Sequence, residues 1–188
     1  LVGTASILAA TKAATPVVAA GLLHAAYDQG DFGLGLLGRH PAKRRELIDI
    51  LGAETEDYVQ RYFELRWTET MIADLAARVD TLSPIEKDVA LIRVANELED
   101  YLDAGILFCA NSDARLSRLT RIADNHITLA RRLGHPGLAD ELSRAFDANL
   151  AGSLPAGVPS PSGHSRLRIP RSFRRKYLSL IHISEPTR

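Results

Sequence analysis

The chain is poor in the residues that would staple it or mark it for a special class. It holds one cysteine, Cys109, in the apolar run GILFCA. No intrachain disulfide can form, Cys109 reads as a small core hydrophobe, and a reducing, cytoplasmic compartment is expected. No apolar run approaches the roughly eighteen residues of a membrane-spanning helix, so no membrane partner is expected. An excess of one charge is missing as well: 23 basic residues balance 23 acidic ones, and the chain as a whole offers no field for nucleic acid. Aromatic residues make up 6%. No stretch alternates apolar and polar residues for long enough to specify a sheet.

What remains is alanine and leucine in helical periods, with glycines between them. The expectation is an all-α bundle of seven to eight helices. Thr15-Pro16 and His40-Pro41 each put proline at a first helical position, where its missing N–H costs nothing. Gly52 stops the second of these helices. Glu54 to Trp67 and TETMIADLAARV continue the series. Ser83-Pro84-Ile85-Glu86 is a capping box, and behind it the longest helix is predicted over Pro84 to Phe108. Ser112 or Asp113 to Leu133 and Gly137 to Leu150 complete the set after a first helix within Leu1 to Ala13.

Beyond the helices, residues 151–177 read as a Pro/Ser/Gly linker and a basic tail holding Arg166, Arg168, Arg171, Arg174, Arg175 and Lys176 without an acid. The tail reads as a solvated linker towards a further domain. Leu178 to Arg188, LSLIHISEPTR, makes neither a capped helix nor a strand, but its codons resemble a sequencing adapter; it is expected to be a translated artefact. Leu1 is not methionine, so the domain, 1–150, is expected to be truncated at its N-terminus.

The informative polar residues are those that fall on apolar stripes. Val17, Gly21, His24 and Asp28 share one stripe, and Ile85, Val89, Ile92 and Asn96 another. A histidine and an amide thus project inward, and each needs a partner, because an unsatisfied buried polar group costs about 1–3 kcal/mol. A hydrogen bond that fixes helix register satisfies this need; so does a binding site.

AAGLLHAAYDQGDF, followed about seventy residues later by ALIRVANELEDYL, resembles the two central motifs of HD-type domains, above all those that hydrolyse guanosine tetraphosphate. The resemblance covers Leu1 to Asn149 and is closest to an uncharacterised HD-like branch, a domain of unknown function. It implies a helical bundle in which a first histidine, a His-Asp pair and a late aspartate hold a divalent metal (Mn, Zn or Fe) for phosphoester hydrolysis. His24 matches the histidine of the pair, but Ala25 stands at its aspartate and Asn96 at the late aspartate. The first histidine is expected just before Leu1. Asp28 matches an acidic position of the hydrolases, and Glu99, one turn beyond Asn96, is a further candidate.

The expected metal set is therefore His24, Asn96 and Asp28, a degenerate site with weak or absent metal, and the catalytic candidates are Asp28 and Glu99. No other cofactor is expected. The partner is a small-molecule ligand or a fused domain beyond the linker. Two functions stay open: a non-catalytic or weakly active binding or regulatory module, and a metal-dependent phosphohydrolase or related enzyme acting on a small phosphorylated or polyol substrate. Elsewhere, Arg39, Lys43, Arg44 and Arg45 form a basic cluster beside the glycine-rich loop after Asp28. That segment reads as a surface loop more readily than as a phosphate-facing lid. Glu97, Glu99, Asp100 and Asp103 mostly face water, His126 lies on a helix face and His135 in a turn, and Tyr62, Phe63 and Trp67 pack between helices.

Overall fold

A computed structural model describes residues 1–29, 40–108 and 112–153, the side chains of Asp28 and Gln29 excepted. Among these the chain is all-α. Its helices are α1 (Val2–Ala10), α2 (Thr15–Leu23), the single turn α3 (Ala26–Gln29), α4 (Pro41–Leu51), α5 (Ala53–Glu64), α6 (Glu69–Ala77), α7 (Pro84–Tyr101), α8 (Ser112–Arg132) and α9 (Pro136–Ala151). Cys109, most of the glycine-rich loop, the linker, the basic tail and the adapter-like segment lie outside the described residues.

Local chemistry sets the helix starts. Proline stands in the first turn of α2, α4, α7 and α9. The Ser83–Glu86 capping box is formed in both directions. Thr68 caps α6 by accepting from the Met71 N–H at 3.2 Å.

Helix α7 is the axis of the bundle. It packs against α1, α2 and α5 on one side and against α8 and α9 on the other, while α6 joins through α8. Val89, Ile92, Val94, Ala95 and Leu98 are buried along it. At its foot, Tyr27 and Arg44 close on the buried carboxylate of Glu56, tying α3, α4 and α5 together.

Helix α7, predicted as the longest, ends earlier than its sequence pattern predicts and at 18 residues is shorter than α8 at 21. It stops at Tyr101, and a 3₁₀ segment, Leu102–Phe108, follows, with Asp103 and Ala104 both at φ 54°. The apolar pattern continues through this segment, but the buried amide of Asn149 donates to the Tyr101 carbonyl at 2.6 Å and to the Ala145 carbonyl at 2.8 Å. A side chain of α9 thus satisfies a carbonyl that a continuing α7 would have used, and the chain is free to turn.

Asn149→Ala leaves that buried carbonyl without its donor and is expected to lower the unfolding free energy by about 1–3 kcal/mol. Urea unfolding checks it; a loss below about 0.5 kcal/mol, the level of an ordinary surface change, would remove Asn149 from its capping role.

Candidate functional site

Two polar centres flank α7, one open and one closed. The open one is a pocket of about 440 Å³ lined by Leu1, His24, Ala25, Tyr62, Asn96, Glu99, Asp100 and Arg115. It lies where the start of α1, the end of α2, α5, the last turns of α7 and the first turns of α8 meet. A larger groove of about 740 Å³, between the end of α1 and the start of α9, holds none of these residues.

His24 and Asn96 thus meet in one pocket. Helix α2 ends at Leu23 and His24 caps it, 7% exposed, with Nδ1 donating to the Gly21 carbonyl at 2.7 Å. A carbonyl can only accept, so the proton of neutral His24 is on Nδ1, and Nε2 is the lone-pair nitrogen left for the pocket. Burial lowers the His24 pKa more than the Gly21 bond raises it. The ring packs on Tyr62 at 4.8 Å between centroids, and the Arg93 guanidinium lies 3.6 Å above the other ring of the pair, Tyr62. Arg93 also donates to the carbonyls of Tyr62 and Leu65. Tyr62 is therefore more than packing: it is clamped by α7 and forms the wall behind His24, its hydroxyl pushed up to about 12 by burial.

Glu99 reaches the site and is heavily engaged there. It accepts from the Thr4 N–H at 3.1 Å, from the Thr4 hydroxyl, and from the Leu1 nitrogen at 2.9 and 3.0 Å. Gly3 makes room for this contact, since a Cβ there would come within 2.6 Å of Glu99 Oε1. Asn96 is half-buried, and its Oδ1 lies 3.5 Å from the Thr4 hydroxyl. Asp100, also in the wall, faces Arg115 at 3.7 Å. Partial burial raises its carboxyl against the pull of Arg115. Asp28 lies in α3, its side chain outside the described residues.

A domain of unknown function, DUF6817, matches residues 1–65. No curated protein and no solved structure matches the chain. The matched segment runs through α1 to α5, so it contains His24 and Tyr62, while Asn96, Glu99, Asp100 and Arg115 come from beyond it.

The described side chains do not make a divalent-metal site by themselves. Among the described residues no group of three or more His, Cys, Asp or Glu is placed to hold an ion. His24 Nε2 and Asn96 Oδ1 are two neutral donors, and Glu99 is spent on Thr4 and Leu1. A hard cation requires several convergent oxygens, most of them charged.

The closed centre corrects two sequence readings. Glu97 is buried rather than water-facing, and His126 is fully buried rather than on an open helix face. Glu97 accepts from the Trp67 indole N–H at 3.1 Å, and its carboxylate lies 3.7 Å from Arg118 and 3.8 Å from His126 Nε2. His126 Nδ1 bonds the Ile122 carbonyl at 2.9 Å, leaving Nε2 without a hydrogen bond. Within the basic cluster Lys43 is fully buried in α4 and Arg44 pairs with Glu56, while Arg39 lies outside the described residues. The heptad-like step between Glu97 and the apolar Ala90 was the one signal for the buried carboxylate; Arg118, Asp100 and Arg115 carried none, because they read as ordinary wet positions.

Burial lowers the pKa of both His24 and His126, in the latter against the pull of Glu97 and the Ile122 carbonyl. A base whose folded pKa lies below its unfolded value of about 6.5 binds fewer protons folded than unfolded between the two. Stability is therefore expected to fall as pH drops from about 6.5, and to level off once the folded pKa is passed. Urea midpoints between pH 7.5 and 5 check this. The decline should be shallower in His126→Phe, and an equal decline in both proteins would remove His126 as a source and leave it to His24 and His135.

Proposed function

We propose that this chain carries an HD-like helical domain with a degenerate metal site, acting as a non-catalytic or weakly active binding or regulatory module in a reducing, cytoplasmic setting. Its partner is a small-molecule ligand held in the pocket of His24, Asn96, Glu99, Asp100 and Arg115, or a domain fused beyond the linker. The observation that carries this reading is the state of His24: buried, fixed through Nδ1, with Nε2 open to a roomy polar pocket whose two described carboxylates, Glu99 and Asp100, are turned onto Thr4 and Arg115 and form no group of three with it. Ala25 and Asn96 support it from the sequence side, since each removes a negative charge from the HD pattern. Among the described residues no helix is long and apolar enough to cross a membrane.

The second reading, a divalent-metal-dependent phosphohydrolase or related enzyme on a small phosphorylated or polyol substrate, draws on the same nitrogen. His24 Nε2 is the atom a metal would take, and Leu1 lies in the pocket wall, so a histidine preceding it would enter at the site. Asp28 is then the carboxylate that has to complete the set.

Calorimetric titration with Mn²⁺ or Zn²⁺ separates the two. The protein is expected to bind neither tightly, and the Ala25→Asp/Asn96→Asp double variant to gain about tenfold or more, since each change adds a charged oxygen. Without metal the double variant is expected to melt lower, because two confined carboxylates repel and lose hydration. Tight, stoichiometric binding by the unaltered protein would overturn the module reading, and no gain in the variant would remove the HD-like site.

A further inference from the structure

The pocket has a sign. Its floor is the last turn of α7, where the helix macrodipole concentrates negative charge, and that turn carries Glu99 and Asp100 with no basic residue. Among the described residues Arg115 faces them, held only loosely at 3.7 Å from Asp100, while the Arg93 guanidinium is committed to the Tyr62 ring and to the Tyr62 and Leu65 carbonyls. Glu99 is turned onto Thr4, accepting from its N–H at 3.1 Å and from its hydroxyl.

The unused hydrogen-bonding capacity agrees. His24 is 7% exposed and lines the pocket, and with Nδ1 committed to Gly21 its Nε2 has no partner among the described residues. A lone-pair nitrogen of this kind accepts a proton from a ligand and offers nothing to an anion. The Asp100 carboxylate, 45% exposed, is the charged acceptor still open to an incoming group.

Resting on the module reading above, we infer that the pocket takes a small organic ammonium ion bearing a further hydrogen-bond donor such as a hydroxyl, and rejects phosphoryl anions. The ammonium lies against Asp100, whose charge it offsets, and the second donor satisfies His24 Nε2. A phosphoryl group would instead face two carboxylates and the negative end of α7, and one arginine already shared with Asp100 does not offset them.

The test titrates the isotope-labelled protein at constant ionic strength and neutral pH with ethanolamine, with glycerol and with inorganic phosphate, following the His24 imidazole signals. Ethanolamine is expected to move them saturably, and glycerol and phosphate to leave them in place. Asp100→Asn is expected to weaken ethanolamine by about tenfold or more, the size of losing one partner of a charge pair. Arg115→Met, which removes the competing cation, is expected to strengthen it. Saturable binding of phosphate, glycerol binding as well as ethanolamine, no response to ethanolamine, or indifference to both variants overturns the inference and leaves the module reading standing. Stoichiometric Mn²⁺ binding in the same assay overturns the reading on which it rests.

Discussion

Helix α7 is covered on nearly every side, and so each polar side chain that it turns inward must find a partner or open onto a cavity. The rest of the domain is arranged around that demand. Successive residues of a helix point about 100° apart, so neighbours on α7 meet different sides of the bundle. Asn96 and Glu99 turn towards α1 and α2, where the pocket is. Glu97 turns towards α8 and is closed in by Trp67, Arg118 and His126. One helix thus carries an open polar centre and a sealed one a single residue apart.

The sealed centre holds the open one in place. Glu97 ties the α5–α6 connection to α7 through Trp67, and one turn earlier Arg93 reaches the carbonyls of Tyr62 and Leu65 at the end of α5. Tyr62 is clamped between the Arg93 guanidinium and the His24 ring as a result. On the opposite wall Gly3 and Thr4 bring α1 down onto Glu99. The pocket walls come from five separate helices, yet each wall residue is fixed through α7, which is how a surface cavity keeps a defined shape.

This explains what the sequence disclosed and what it did not. The stripes through His24 and Asn96 were legible because Val17 and Gly21 on one, and Ile85, Val89 and Ile92 on the other, pointed the same way as the polar residue. The capping box and the first-turn prolines were legible because they act within one turn. Glu97 and His126 misled because each sits among charged neighbours, DVALIRVANELED and RIADNHITLARR, where local pattern assigns water. Only tertiary contact with Trp67 and Phe146 buries them. The end of α7 at Tyr101 was hidden for the same reason: its cap is Asn149, forty-eight residues away. Lys43, one of four basic residues that the sequence groups near the glycine-rich loop, is fully buried.

The arrangement of charge separates the pocket from the pattern that the sequence resembles. That pattern concentrates carboxylates at two points, beside the central histidine and on the late helix, so that they converge on one ion. Here both points are neutral, Ala25 and Asn96, and the acids stand further along α7 as Glu99 and Asp100. Glu99 is turned onto Thr4 and the amine of Leu1, and Asp100 onto Arg115. Acidic charge has not left the region; it has spread along the pocket wall. Dispersed carboxylates offer a divalent ion one oxygen at a time, which does not repay its dehydration, whereas an ammonium group needs only one carboxylate and a few acceptors. On the proposed reading, neutral residues at these two points go with a pocket suited to a singly charged, hydrogen-bonding guest rather than to a divalent ion.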